Sequence, residues 1–98
     1  MKIKYKTNKL EKICTDKKYA TRKHGKEMSD LIIQRMGEIE DAPDVEFLVR
    51  LKIGNCHPLK GDRKKQYGMD LVQPHRLVFE KINRYNNMVK ILEITNYH

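Results

Sequence analysis

The sequence predicts an α+β fold in which N-terminal helices pack on an antiparallel sheet of about four strands. Apolar residues recur at helical spacing through the first half of the chain, and they alternate with polar residues through most of the second half. This order of helices followed by strands is typical of α+β proteins. A length of 98 residues suits one small domain, which we expect to span residues 1–98.

The N-terminal segment predicts a short strand and a first helix. Ile3 and Tyr5 alternate with lysines, which is typical of an edge strand. Asn8 is then expected to cap a helix. Asp16 is expected to cap a continuation of this helix, which ends at Gly25.

A second helix follows, because apolar residues between positions 28 and 39 have amphipathic spacing. Ala42 precedes a proline and should end this helix, since the residue before proline avoids the α region. Asp44 is expected to cap a short apolar turn that reaches Leu51.

The second half predicts three strands in an antiparallel meander. Residues 67–72, 76–82 and 89–94 alternate between apolar and other side chains. Pro74 marks the first connection, and the polar stretch 83–87 marks the second.

The net charge of +8 is unevenly distributed. Residues 1–26 hold ten Lys or Arg against two acids, residues 27–49 hold one against seven, and residues 50–98 hold ten against four. If the two basic ends share a face, that surface attracts phosphates. The mean hydropathy of -0.78 and the absence of a long apolar run predict no membrane association, and no apolar stretch of signal-peptide type follows the basic N-terminus. We therefore expect the protein in the cytoplasm.

Cys14 and Cys56 are isolated in the sequence and should be small buried hydrophobes. A zinc site built from Cys56, His57 and His98 is the alternative, but the spacing matches no standard zinc pattern. We therefore expect no metal and no cofactor.

Two segments concentrate chemically active side chains: His-Pro-Leu-Lys-Gly-Asp-Arg at 57–63 and Asn-Tyr-His at 96–98. Together with the strands around 67–72 and 76–79, they stand in the order found in the HigB branch of the RelE/ParE toxins. The second half of the chain, from about residue 53, resembles that branch. The first half agrees with it only in its pattern of helices.

The resemblance implies a RelE-like fold and a toxin of a type II toxin–antitoxin system that cleaves messenger RNA on the ribosome. It implies two partners: a HigA-type helix-turn-helix antitoxin and the ribosome, with its rRNA and the mRNA in the decoding site. Operator DNA would be bound only through the antitoxin. Cleavage would use the RNA's own 2′-hydroxyl as nucleophile, which needs a base, an acid for the leaving 5′-oxygen and cations for the phosphorane.

The catalytic roles follow from position in the family. His98 is the expected general base and His57 supplies further acid–base function. Lys60, Arg63 and Arg76 are expected to stabilise the phosphate. On its strand, Arg76 faces either solvent or a cleft shared with the loop.

Tyr97 is expected to place the substrate by stacking or by a hydrogen bond. Asn96 stands where related toxins often carry Asp, and an amide cannot accept a proton, so we assign it a positioning role. If the reaction needs a carboxylate, the side chain of Asp70 or Glu93 or the C-terminal carboxylate of His98 could supply it.

Two further histidines are weaker candidates. His24 lies at an expected helix end, where the macrodipole favours a cation, and His75 adjoins Arg76 and could contact RNA. A non-enzymatic gyrase poison of the ParE kind is the competing function, although it requires neither the loop nor the terminal triplet. A third alternative is a nucleic-acid-binding module without enzymatic activity. It would explain the positive charge but would assign no function to the histidines.

Overall fold

The computed structural model describes residues 1–61, 65–82 and 87–96. The predicted site residues Arg63, Tyr97 and His98 lie outside these ranges, as does most of the predicted polar connection at 83–87.

The chain begins with the strand β1 (Lys2–Tyr5) and the helix α1 (Asn8–Thr15). Thr7 caps α1: its backbone is extended and its Oγ1 accepts a hydrogen bond from the Leu10 N–H at 3.0 Å. The prediction of Asn8 as the cap is therefore wrong by one position, because the threonine before it already supplies the acceptor.

Asp16 separates α1 from the helix α2 (Lys17–His24), and its side chain accepts from the Tyr19 N–H at 3.1 Å. Its own backbone is extended, which ends α1, so the predicted continuation is a second helix at an angle to the first. The predicted cap at Asp16 and the stop at Gly25, which has a φ of 87°, are both confirmed.

Two more helices complete the N-terminal half: α3 (Lys26–Asp41) and α4 (Val45–Arg50). Ala42 ends α3 with extended backbone, as its position before proline predicts. Asp44 caps α4 by accepting from the Phe47 N–H at 2.8 Å. A 3₁₀ turn, Ile53–Asn55, then leads into the sheet.

The remaining strands are β2 (His57–Pro58), β3 (Gln66–Asp70), β4 (His75–Lys81) and β5 (Met88–Asn96). The described residues form one five-stranded sheet in the order β1-β5-β4-β3-β2. Strands β3 to β5 form the predicted antiparallel meander. The short strand β2, where the sequence predicted only a loop, adds to it in antiparallel pairing with β3, whereas β1 pairs in parallel with β5. The sheet is therefore mixed, and the expectation of an antiparallel sheet is corrected at this edge.

The main core lies between the helices and one face of the sheet. Its fully buried side chains include Ile32 and Ile39 from α3 and Met69, Leu77 and Phe79 from β3 and β4. The predicted burial of the two cysteines is confirmed, since Cys14 and Cys56 are 3% and 2% exposed. No helix in the described part of the chain is both long and apolar enough to cross a bilayer.

Candidate active site

The sheet face opposite the helices carries Gly68, Arg76 and Val78, and we call it the loop face. Gly68 of β3 lies opposite Val78 of β4 and opposite His57 of β2. Residues paired across antiparallel strands project to the same side. His57 therefore lies on the loop face with Arg76.

A small buried cluster on this face shows that the segment after β2 folds over it. Val78 is fully buried and Leu59 is 8% exposed, yet neither belongs to the main core. A Cβ built at Gly68 would lie 3.2 Å from Leu59 Cδ2 and 3.3 Å from Arg76 Cδ. The glycine thus leaves the space that the side chains of Leu59 and Arg76 approach, and Arg76 faces the loop instead of open solvent.

The imidazole of His57 is held by a backbone oxygen, because its Nδ1 lies 2.8 Å from the Asn55 carbonyl oxygen. A carbonyl oxygen only accepts, so Nδ1 carries a proton in both the neutral ring and the imidazolium. Nε2 is consequently the position that can take up or release a proton while this anchor stays intact.

A cavity of about 140 Å³ brings His57 together with Arg76 and Asp70. Asp70 pairs with Arg76 across the β3–β4 ladder and accepts a hydrogen bond from Asn55 Nδ2 at 3.2 Å. The other lining residues are Asn55, Gln73 and Pro74 from the turns on either side and His75 from the start of β4. The cavity thus holds an imidazole, a carboxylate and a guanidinium within one small volume.

A buried arginine fixes the turn that orients His57. Arg35 of α3 donates from Nε to the Asp70 carbonyl oxygen at 2.7 Å and pairs with Glu38 at 2.9 Å. A Cβ at Gly54 would lie only 2.7 Å from Arg35 Nε, so the guanidinium packs directly on that glycine. Asn55, whose carbonyl holds His57, follows at once in the chain.

The remaining predicted residues lie around this cavity or outside the described ranges. Lys60 is exposed on the segment that follows Leu59, whose N–H donates to the Gln66 carbonyl oxygen at 2.9 Å. Asn96 is the exposed last residue of β5 and lies opposite His75. The structure thus brings His57 and Arg76 together and places Asn96 at the neighbouring end of the sheet.

Of the alternative carboxylates, Asp70 lines the cavity. Glu93 pairs with Val78 on the loop face. Sequence reasoning did not find Asn55, although Gly-Asn before the loop is typical of a turn with positive φ. Its role depends on a backbone oxygen, which leaves no signature in the sequence.

His24 is the last residue of α2, as predicted. Its pKa is lowered by partial burial and by the positive charges of His75, Lys23 and Lys9. The shift also shows that His24 and His75 lie close enough to interact electrostatically.

The buried thiols take no part in this site. Burial raises the pKa of both Cys14 and Cys56 to about 12, so each stays protonated at neutral pH. Within the described ranges, no group of three or more His, Cys, Asp or Glu side chains could hold a metal ion. The alternative zinc site included His98, which lies outside those ranges.

Known structures resemble the whole chain. A YoeB/ParE toxin from Agrobacterium tumefaciens matches with a TM-score of 0.70 and 14% identity over 100% of both chains. The chain has the fold of these toxins. A YoeB–YefM complex and a YoeB dimer from Staphylococcus aureus each match with a TM-score of 0.64 and 24% identity, over 100% of this chain and 97% of theirs.

At these identities the likeness is one of fold. It confirms the fold class that the sequence predicted. The matching structures carry YoeB names, so the assignment to the HigB branch stays a prediction. No family model and no curated protein matches the chain.

Proposed function

We propose that this protein is the toxin of a type II toxin–antitoxin system, of the HigB kind, and an endoribonuclease that cleaves messenger RNA on the ribosome. The whole chain would act as one toxin domain. Support comes from the ordered resemblance of residues 57–63, 67–72, 76–79 and 96–98 to that branch and from the fold shared with YoeB/ParE toxins.

The observation that carries the proposal is the cavity on the loop face, where His57 and Arg76 meet. Because Nδ1 of His57 stays bound to a carbonyl oxygen in both protonation states, Nε2 can exchange a proton without losing its orientation. Arg76 beside it offers a planar set of donors that suits phosphate oxygens. Acid–base and phosphate-binding functions are thus adjacent.

In the proposed reaction, the 2′-oxygen attacks the adjacent phosphorus and the bond from phosphorus to the 5′-oxygen breaks. His98 accepts the 2′-hydroxyl proton, and His57 delivers a proton to the leaving oxygen from Nε2. Arg76, Lys60 and Arg63 stabilise the negative charge of the phosphorane. The products are a 2′,3′-cyclic phosphate and a free 5′-hydroxyl, and no metal is required.

Tyr97 and Asn96 would position the nucleotide next to the cleaved bond. Asn96 ends β5, is exposed and lies opposite His75. Tyr97 would stack on a base. These assignments extend the family's pattern onto matching positions of this chain.

The proposed partners are the ribosome and an antitoxin. The Staphylococcus aureus structures contain YoeB bound to YefM as a toxin–antitoxin complex, which supports a partner of that class here. Following the HigB resemblance, we expect a helix-turn-helix antitoxin of the HigA type that also binds operator DNA. The toxin would act in the cytoplasm, where ribosomes and messenger RNA are found.

Incubation of the purified protein with messenger RNA, with and without programmed ribosomes, tests the proposal. We expect cuts that require ribosomes, that leave cyclic phosphate ends and that disappear in His98→Ala and His57→Gln. Lys18→Gln, an exposed change on α2, is the matched control and should cleave normally. Absence of cuts together with inhibition of gyrase supercoiling would instead favour the ParE-type function.

A further inference from the structure

A second cavity, of about 290 Å³, lies between α1, α2 and β5 and is separate from the catalytic residues proposed above. Its apolar members are Leu10, Ile13, Leu92 and Ile94. Its polar members are Thr7, Lys9, Lys23 and His24. We call it the basic pocket, because three of its four polar residues can carry positive charge.

The lysines of the basic pocket have no acidic partner among the described residues. Within residues 1–61, 65–82 and 87–96, no acidic side chain forms an ion pair with Lys9 or Lys23. The charges of both lysines reach His24, since each lowers its pKa. An uncompensated group of cations around a partly apolar hollow favours an anion with an organic part.

The basic pocket is linked to the cavity on the loop face through His75. This residue lines that cavity beside His57 and Arg76, and its charge also acts on His24 in the basic pocket. Strand β5 makes a second link, because Leu92 and Ile94 line the pocket and the same strand ends at Asn96. Ile94 and Asn96 are two residues apart, which spans about 7 Å in a strand.

We propose that the basic pocket binds a backbone phosphate of RNA, on a strand that passes the end of the sheet toward the loop face. The inference rests on the proposed ribonuclease function for its ligand class. Lysines contact phosphate as movable point charges, and the apolar floor suits a ribose. The floor contains no aromatic side chain on which a base could stack, so this contact is independent of sequence.

A binding assay that does not depend on cleavage tests the pocket. The probe is a short fluorescein-labelled RNA with 2′-O-methylated riboses, which lacks the attacking hydroxyl. The double variant Lys9→Gln/Lys23→Gln is compared with Lys2→Gln/Lys4→Gln, which removes the same charge from two exposed positions of β1. Circular dichroism first establishes that both variants fold.

Loss of the proposed phosphate contact should lower the slope of log affinity against log salt by about 0.7, since each neutralised phosphate of a single strand contributes about 0.7. The β1 control should keep the slope of the unchanged protein. The His24 imidazole signal gives a second readout: RNA binding should raise the pKa of His24, because a phosphate stabilises the imidazolium. The proposal is overturned if the two variants show equal slopes with the short RNA, the His24 pKa does not move, and Lys9→Gln/Lys23→Gln pellets with ribosomes as well as the β1 control.

The phosphate could belong to the messenger or to ribosomal RNA, and pelleting with ribosomes distinguishes them. Weaker binding of the short RNA identifies the messenger, whereas loss of ribosome pelleting alone identifies ribosomal RNA. Either result supports a phosphate site. If the protein binds the 2′-O-methylated RNA through the basic pocket but cleaves no messenger RNA, the phosphate site is supported and the ribonuclease proposal fails. If Lys9→Gln/Lys23→Gln cleaves and binds normally, the pocket fails and the ribonuclease proposal stands.

Discussion

Gly68→Ala tests whether the packing of Leu59 and Arg76 against Gly68 positions the proposed catalytic groups. The added Cβ would lie 3.2 Å from Leu59 Cδ2 and 3.3 Å from Arg76 Cδ, against an ordinary carbon–carbon contact of about 3.5–4.0 Å. Both side chains must therefore move by roughly 0.2–0.8 Å. Arg76 would leave its place beside His57, and the segment that carries Lys60 would shift with Leu59.

The expected effects on activity and on stability differ. Overpacking costs about 1 kcal/mol at the low end of its range, and replacing a strand glycine returns about 0.5–1 kcal/mol, so the free energy of unfolding should change by less than about 1 kcal/mol. A displacement near 1 Å can reduce catalysis about a hundredfold. We therefore expect kcat/KM for ribosome-dependent cleavage to fall by about 10–100-fold.

Gly37→Ala is the matched control, because a Cβ at this α3 position would meet no atom within 4 Å. It should stabilise the helix by about 0.5–1 kcal/mol and leave cleavage unchanged. Urea denaturation and cleavage assays on the two variants measure both quantities. Equal cleavage by Gly68→Ala and Gly37→Ala would refute the role of this packing against Gly68.

Three further predictions concern stability. Gly54→Ala should lower the free energy of unfolding by about 3 kcal/mol, because both the positive φ and the buried Arg35 guanidinium oppose a side chain there. Gly25→Ala should lower it by only about 1–2 kcal/mol, because only the positive φ opposes a side chain at that position. Equal losses of stability in urea denaturation would contradict the contact between Gly54 and the guanidinium. The pKa of Cys14 and Cys56 rises from 9.0 to about 12, so the unfolded chain releases these protons first and stability should fall above pH 9 by about 1.4 kcal/mol per pH unit per thiol. Replacing both thiols with alanine should flatten this dependence, and an unchanged pH profile would contradict it. Thr7→Ala should lower the free energy of unfolding by about 1 kcal/mol through loss of the α1 cap; an unchanged thermal midpoint would argue against that cap.

Helix boundaries were predictable because the interactions that set them are local. Asp16 and Asp44 each accept a hydrogen bond from an N–H three residues later, and Gly25 supplies a positive φ at the helix end. The cap at Thr7 was misassigned because Thr and Asn both suit that role and stand side by side. Neighbouring candidates of this kind differ only in backbone conformation.

The parallel edge strand was not predictable in the same way. Strands β3 and β4 are consecutive in the chain and are joined by a short turn, which implies antiparallel pairing. β1 is separated from β5 by all the helices, so its partner and direction depend on how those helices pack. Alternation at Ile3 and Tyr5 indicated a strand but contained no information about its neighbour.

The candidate site was predictable only where a motif carried it. His57 and Arg76 came from the resemblance, and the register of β2 and β4 against β3 explains why they share a face. The supporting contacts join distant parts of the chain: Arg35 bonds to a carbonyl oxygen 35 residues away. Such contacts depend on tertiary packing, which the local pattern does not encode.

The HigB resemblance leads us to expect a carboxylate where this chain has Asn96, and Asp70 can take its place in the proposed reaction. Asp70 lines the cavity with His57 and is oriented by Asn55, whereas Asn96 is exposed at the end of β5. We expect Asp70→Asn to lower kcat by about 10²–10³-fold while the fold is retained, since a positioned acid–base group contributes about 10²–10⁴-fold.

Adding Asn96→Asp to Asp70→Asn decides between the two positions. If the carboxylate acts on His57 within the cavity, an acid at the strand end cannot replace it, and the double variant should stay as slow as Asp70→Asn alone. Cleavage assays over a range of pH would show this directly. Restored cleavage in the double variant would mean that the carboxylate acts on residues 97–98 instead, and that an acid at the end of β5 can supply the charge that this chain obtains from Asp70.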